Sequence, residues 1–372
     1  MPLHTHCAPA HRAPADETND GERRLSWAIW ITGIPGRNKA ALVRAAAETL
    51  RARGVPVRVL ELDAIRNILT PDPTDSDLER EAVYRLLAFM AATLAKANVP
   101  VIVDATAHRR RWRQFARDLI PRFAEVQIET VPGIDRDDEP APPPELRIDA
   151  PAESVASGAD KIVALAERLG AGSAATASLD DGWAIWITGR PGSGKTTIAR
   201  RVMTALTARG VKARIVDANI LRRMVWPVAV ERLDDLAHRA VVCLAKLLVE
   251  AGNAVVVDAT AHHRRWREMA RELIPRFAEI QLACPPEVCA ERERAARWRL
   301  TGGARGVAEP AVGVDIDLVL DYEPALCPEL TIYTDVQDCA TATADVLFVA
   351  ERFHRQATIH QEGRPPCESA TS

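Results

Sequence analysis

The chain has 372 residues, 47% of them hydrophobic, with 48 Lys and Arg against 51 Asp and Glu. That length suits two domains of ordinary size with full cores, and a formal charge of −3 leaves no global basic footprint for nucleic acid. No apolar run approaches the roughly 18 residues of a membrane span, and seven cysteines without close pairing argue for reduced thiols rather than a disulfide framework.

The first 26 residues read as a Pro/Ala-rich tail. "MPLHTHCAPAHRAPADETNDGERR" lacks the apolar core of a signal peptide, so a cytoplasmic protein is expected. His4, His6, Cys7 and His11 could be taken for a metal cluster, but no second ligand group of defined spacing supports them.

A first α/β unit is expected over residues 27–170. It opens with "ITGIPGRNKAA" at 31–41, which has the outline of a phosphate-binding loop: Gly33 and Lys39 are present. Asn38 replaces the second glycine, and Ala40 stands where a metal-binding hydroxyl belongs. An Asn sometimes tolerates positive φ, whereas alanine cannot ligate magnesium. Productive Mg–ATP binding is therefore expected to be lost in this copy. Further on, "DATAHRRRWRQFARDLIPRFAEVQI" from Asp104 returns as "DATAHHRRWREMARELIPRFAEIQL" from Asp258, with about three quarters of positions identical. A period of roughly 155 residues is a domain and not a solenoid unit, so the chain is a tandem duplication. Residues 171–181, within "GAGSAATASLDDG", have the composition of a linker.

The second unit, 182–354, carries the loop intact. "ITGRPGSGKTT" at 187–197 matches G-x-x-x-x-G-K-[ST] through Gly189, Gly194, Lys195 and Thr196. Residues Gly189, Arg190, Pro191, Gly192, Ser193, Gly194, Lys195, Thr196 and Thr197 are expected to hold ATP. The glycines let backbone N–H groups face the polyphosphate, Lys195 supplies charge to the β/γ-phosphates, and the Thr196 hydroxyl is placed for Mg²⁺. The strands expected here are "WAIWIT", "ARIVD", "NAVVVD", "AEIQLAC" and "ELTIYT", alternating with helices. That alternation implies an α/β fold with two tandem P-loop NTPase-type domains, each a parallel sheet flanked by helices. Ligands of such sheets lie beyond the carboxyl ends of the strands, which selects Asp217 and Asp258. Asp258 could hold the metal or cap the following helix, as its twin Asp104 could. Trp27, Trp30, Trp183 and Trp186 recur at matching strand positions and suit sheet packing. "AVVCLAKLLV" and the pair Cys284 and Cys289 suit the core. "HHRRWR" reads either as a solvated helix face or as an anion-binding helix start. The last residues, 355–372, form a second polar tail.

These motifs resemble the adenylylsulfate kinase family over nearly all of 183–353. "GRPGSGKTTIA" is similar to the family loop, and "VDANILR" stands at its Asp-Gly-Asp-Asn-x-x-Arg stretch. "PPEVCAERE" and "DYEPALCPELTIYTD" match its Pro-x-Glu-Val-Cys run and its Tyr-Glu-x-Pro close. The resemblance implies a kinase of sulfate assimilation that moves the γ-phosphoryl of ATP to the 3′-hydroxyl of adenylyl sulfate, with Mg²⁺ as cofactor. It implies Asp217 and Lys195 as catalytic residues, Arg222, Arg239 and Arg292 as substrate-binding residues, and Thr196 and Asp258 at the metal. Arg294, Arg297 and Arg299 share the expected lid with Arg292. Asn219 replaces the family's second aspartate, and the loop 224–230 is short. In the first copy "ELDAIR" keeps Asp63 and Arg66, Arg85 has the family-like spacing, and no lid follows Glu129, so that domain reads as a pseudokinase. A small-molecule acceptor is expected, with no membrane or nucleic-acid partner and homo-oligomerisation left open. Two alternatives stand beside this reading: a kinase of the same fold acting on a sugar or a polynucleotide 5′ end, and a nucleotide sensor in which neither domain turns over.

Overall fold

The computed structural model describes residues 25–33, 37–74, 76–129, 142–150, 152–170, 182–225, 232–300 and 321–362. Both expected tails in their outer parts, the linker 171–181 and the loop 226–231 lie outside these, as do the side chains of Arg297 and Arg299. In the first half, strands β1 (Ala28–Thr32), β2 (Arg58–Glu61), β3 (Val101–Asp104), β4 (Phe123–Glu129) and β5 (Leu146–Asp149) form one sheet in the order β2-β3-β1-β4-β5. Its helices are α1 (Arg37–Ala52), α2 (Leu62–Leu69), α3 (Asp77–Lys96), α4 (Arg110–Leu119) and α5 (Val155–Arg168). The second half repeats this with β6 (Trp183–Gly189), β7 (Ala213–Asp217), β8 (Ala254–Asp258), β9 (Phe277–Ala283) and β10 (Leu330–Tyr333), ordered β10-β9-β6-β8-β7. Helices α6 (Lys195–Ala208), α7 (Ala218–Val225), α8 (Leu233–Glu250), α9 (Arg264–Leu273), α10 (Pro286–Leu300) and α11 (Cys339–Glu362) flank it. All pairings are parallel, and the two orders are the same when read from equivalent strands.

Sheets covered on both faces need strands that are apolar throughout, and β1 and β6 are buried at every residue. The two-residue alternation then sends Trp27, Ile29 and Ile31 to one face and Ala28 and Trp30 to the other. Trp183, Ile185 and Ile187 separate from Ala184 and Trp186 in the same way. All four tryptophans are at most 1% exposed. Helix starts obey local chemistry: the Ser76 hydroxyl accepts the Glu79 amide at 3.2 Å, and the Glu79 carboxylate reaches back to the Thr74 amide, a reciprocal cap for α3.

The duplication does not give two beads on a string. Each sheet has one private face, covered by α1 and α5 in the first domain and by α6 and α11 in the second. The opposite faces merge into a single hydrophobic cluster that runs from Leu69, Leu87 and Met90 to Leu221, Val225, Leu244 and Leu248. Helix α2 packs on α8, α3 packs on α7, and α3 meets α8. Because α7 is the counterpart of α2 and α8 that of α3, exchanging the domains leaves this set unchanged. That is the signature of an isologous two-fold contact, here made within one chain. Arg239 on α8 adds a polar tie, donating to the Ile68 carbonyl at 3.3 Å.

Candidate active site

The two phosphate loops differ first in backbone. In the second domain Gly194 has φ 97° and stops the helix, so α6 begins at Lys195. A non-glycine residue there would meet no neighbour, but it would have to adopt a left-handed conformation. Asn38 does not adopt it. It lies inside α1, which begins one residue earlier at Arg37. The helix therefore runs back over two positions that the second copy keeps as loop, so the backbone there lacks the loop conformation that follows Gly192 in the second copy. Gly192, φ 79°, has a different reason to be glycine: a Cβ there would lie 2.2 Å from the carbonyl oxygen of Cys289 on α10. The loop is clamped beneath that helix.

Lys195 is 8% exposed, and its ammonium donates to the Arg190 carbonyl at 2.9 Å. Burial pulls its pKa below the ordinary lysine value, opposed by the charge of Asp258. Asp258, 3% exposed at the end of β8, accepts the Thr196 hydroxyl. Burial pushes its carboxyl upward, more than the Thr196 hydrogen bond and Lys195 pull it down. Its Oδ2 is buried without a hydrogen-bond partner, as is the hydroxyl oxygen of Ser193 in the loop. Two orphaned oxygens beside a buried ammonium are costly unless a ligand completes them, and a divalent cation with a polyphosphate is the group that would. Asp258 is thus no helix cap: His263 occupies that position for α9 and Arg109 for α4, neither with a side-chain cap. In the first domain Lys39 closes directly on Asp104 at 2.8 Å, so the equivalent charges neutralise each other, although Asp104 Oδ1 gains no hydrogen bond of good geometry from the contact.

Asp217 sits opposite Asp258 in the β7–β8 register, close enough to raise its neighbour's pKa. Its Oδ1 accepts the Asn219 amide at 2.8 Å, a local turn that leaves the second carboxylate oxygen uncommitted by that bond. The same register sets Glu61 opposite Asp104. Glu61, and not Asp63, is therefore the counterpart of Asp217, while Asp63 answers to Asn219. Arg222 pairs with Asp234 on α8 and not with Asp217. Arg239 is held by Asp235 at 2.7 Å and by the first domain's Ile68. Its twin Arg85 is held by Glu81 at 3.1 Å.

Arg292 on α10 donates to the carbonyl of Thr334 at 2.7 Å and lines a cavity of about 650 Å³ between the loop and α10, with Lys195, Thr196, Thr197 and Glu293. The first domain's cavity, about 390 Å³, is lined by Lys39, Ala40, Glu61, Asp63 and Asp104 and by no lid residue. Between β4 and β5 no counterpart of α10 exists among the described residues.

Several site-forming residues carried no signal of their own in the sequence. The "HHRRWR" run is solvated only in part: Arg265 is 62% exposed, but Arg267 is fully buried against Glu279 at 2.6 Å, and Trp266 is 2% exposed. Arg113 and Glu125 repeat the pair at 3.2 Å. Arg267 also holds the carbonyl of Ala261, whose φ of 41° is strained for alanine. The Tyr322 hydroxyl meets Thr188 Oγ1 at 3.2 Å, and Glu323 accepts the first amide of α9, so the "DYEP" stretch clasps the loop after β8. The duplicated Arg and Glu positions were the available signal.

An intact P-loop at the carboxyl edge of a five-stranded parallel sheet, roofed by a short helix, defines a P-loop kinase. The family model described as Adenylylsulphate kinase matches residues 25–141 and again 181–332, and the chain belongs to that family. The probable adenylyl-sulfate kinase of Archaeoglobus fulgidus is 32% identical over 156 residues, covering 41% of this chain and 97% of that protein. That of Pyrococcus abyssi is 34% identical over 159 residues, 39% and 91% of the two chains. The solved APS kinase of Mycobacterium tuberculosis, in complex with AMPPNP and APS, aligns at 23% identity over 46% of this chain and 98% of its own, with a TM-score of 0.36. No helix among the described residues is long and apolar enough to cross a membrane.

Proposed function

We propose that the second domain transfers the γ-phosphoryl of Mg–ATP to the 3′-hydroxyl of adenylyl sulfate, a step of sulfate assimilation, and that the first domain supports it without turning over. The observation that carries this reading is the convergence of three features at one sheet edge: the Gly194-stopped loop with buried Lys195, the Thr196–Asp258 pair with its orphaned oxygen, and Asp217 in register beside Asp258. Phosphoryl transfer asks for positioning and charge neutralisation more than covalent chemistry. Lys195 and the loop amides bind and orient the phosphates. Thr196 and Asp258 would hold Mg²⁺, which neutralises phosphate charge when bound. Asp217 accepts or orients the proton of the acceptor hydroxyl. Arg292 and Arg222 draw the anionic ends of donor and acceptor to the same side, and the α10 roof excludes water. Arg239 belongs with the acceptor only if its ties to Asp235 and Ile68 loosen.

A second acceptor is kept on one observation: Asn219, which donates its amide to Asp217 at the end of β7, stands where the resembled family has an aspartate. The test is turnover of the purified chain with Mg–ATP, against adenylyl sulfate and a panel of sugars and 5′-hydroxyl oligonucleotides. Phosphorylation of adenylyl sulfate at the highest kcat/KM supports the proposal. A preference for another hydroxyl moves the assignment to that acceptor, and no ATP-dependent product with any of them removes the catalytic reading.

A further inference from the structure

Helix α8 and the loop ahead of α9 bring Asp234, His238 and His262 together, with candidate ligand atoms all within 4.8 Å of one another. Asp234 and His238 are four residues apart, so one turn of α8 puts both side chains on the same face. His262 reaches the same point from the loop after β8. Asp234 Oδ2 lies 3.6 Å from His238 Nδ1 and 3.7 Å from His262 Nε2; His238 Nδ1 also donates to the Asp234 carbonyl at 2.8 Å, so a metal bound at that nitrogen has to displace its proton and that hydrogen bond. Around a zinc-sized ion with bonds of roughly 2.0–2.1 Å, tetrahedral ligands stand about 3.3 Å apart, so Asp234 is within about half an ångström of that spacing to both rings. The imidazoles are buried, while Asp234 is 38% exposed and opens the cluster to solvent.

The first domain shows what packing alone requires at these positions. Arg80, Tyr84 and His108 stand at the equivalent places, leaving one imidazole and no carboxylate. Tyr84 stacks on Trp112 at 4.0 Å just as His238 stacks on Trp266 at 3.9 Å. A flat ring on the tryptophan therefore suffices for the core, and the Asp–His–His set in the intact domain asks for another explanation. We propose that Asp234, His238 and His262 form a binding site for a divalent transition metal of the zinc class, with three protein ligands and a remaining position open to solvent. Arg222 now neutralises Asp234, so an incoming metal competes with that guanidinium, and occupancy frees an arginine on the acceptor side.

The site is independent of which acceptor the enzyme uses, and its test reads metal and not turnover. The full chain, stripped with chelator, is titrated with Co²⁺ while the visible ligand-field bands of tetrahedral cobalt are followed, and then with Zn²⁺ to bleach them. One equivalent of each is expected. His238→Tyr, which copies the first domain's packing, and His262→Ala should each weaken binding by at least about 10²-fold. A chain with His4, His6 and His11 replaced by alanine should bind as before. Absence of the bands at micromolar protein, their survival in both histidine variants, or their loss with the tail histidines would each overturn the site.

Discussion

The two domains share a sheet order, a shared-face core and an Arg–Glu pair on the fourth strand of each, yet they differ at the few atoms of the phosphate loop and its facing aspartate. In the second domain a left-handed glycine stops the helix, and a serine hydroxyl and an aspartate oxygen are left without hydrogen-bond partners. In the first the helix runs on and Lys39 neutralises Asp104. Degeneration here is the quenching of a charged site by its own residues, with no loss of fold. Buried groups that lack a partner are costly in an apo protein, so an unused site gains stability when its lysine and carboxylate pair. The shared hydrophobic face explains why the first domain persists: removing it would expose α7 and α8 of the second.

The sharpest way to break this comparison is to substitute the two lysines in turn. Lys195→Ala should lower turnover by on the order of 10³-fold and abolish detectable binding of labelled ATP, because a buried charge aimed at the phosphates is lost. Lys39→Ala should leave both within twofold. Equal losses would mean that the Lys39–Asp104 pair opens to nucleotide and that the first domain is no pseudokinase. Transfer by an isolated fragment of residues 27–170 would carry the same message.

A second substitution pair separates chemistry from turn formation at the strand ends. Asp217→Asn keeps a side-chain oxygen for the Asn219 amide but cannot take a proton, so kcat should fall by at least about 10²-fold with ATP affinity intact. Glu61→Gln, at the matching register position, should change nothing measurable in turnover. A folded Asp217→Asn protein with near-normal kcat and a lowered melting temperature would confine Asp217 to the turn.

The loop backbone offers a smaller and more graded contrast. Gly194→Asn installs the first domain's residue, and a left-handed non-glycine costs about 1–2 kcal/mol. Either that strain or a backward-extended helix should weaken ATP binding about tenfold with little change in acceptor KM. Unchanged ATP affinity would show that Asn38 is not what closed the first loop.

Much of this contrast is legible in the residues. The duplication, the alternating strands and helices and the loop differences at Asn38 and Ala40 are written in local patterns that need no partner to be read. What stays hidden is long-range. Nothing local tells that α2 and α3 meet α7 and α8, because an apolar helix stripe looks the same whichever surface covers it. The pairing of Arg267 with Glu279 takes one arginine of a run that looks solvated into the core. Strand register, which identifies Glu61 as the counterpart of Asp217, depends on neighbours more than 40 residues away in the chain. His238 likewise becomes notable only when His262 is brought beside it.

The smallest effect expected concerns Arg239, where a role at the acceptor and a role between the domains predict different things. Its guanidinium is tied to Asp235 within α8 and to the Ile68 carbonyl at the end of α2. Arg239→Lys keeps the charge and the four-residue spacing to Asp235, but a single ammonium cannot serve both acceptors in that geometry. Since Arg239 is only half-buried and the lost bond is one charge-assisted contact, the change should lower the unfolding free energy by about 1 kcal/mol. The loss should appear as earlier separation of the two halves in denaturant. If the bond to Ile68 is its main work, the KM for the acceptor will stay within twofold, and Arg85→Lys in the first domain will be milder still, because Arg85 pairs with Glu81 within its own helix. If Arg239 turns toward the acceptor during turnover, that KM will instead rise about tenfold while stability holds. The pair of measurements decides whether the second domain borrows the first as a wall for its site or only as a cover for its core.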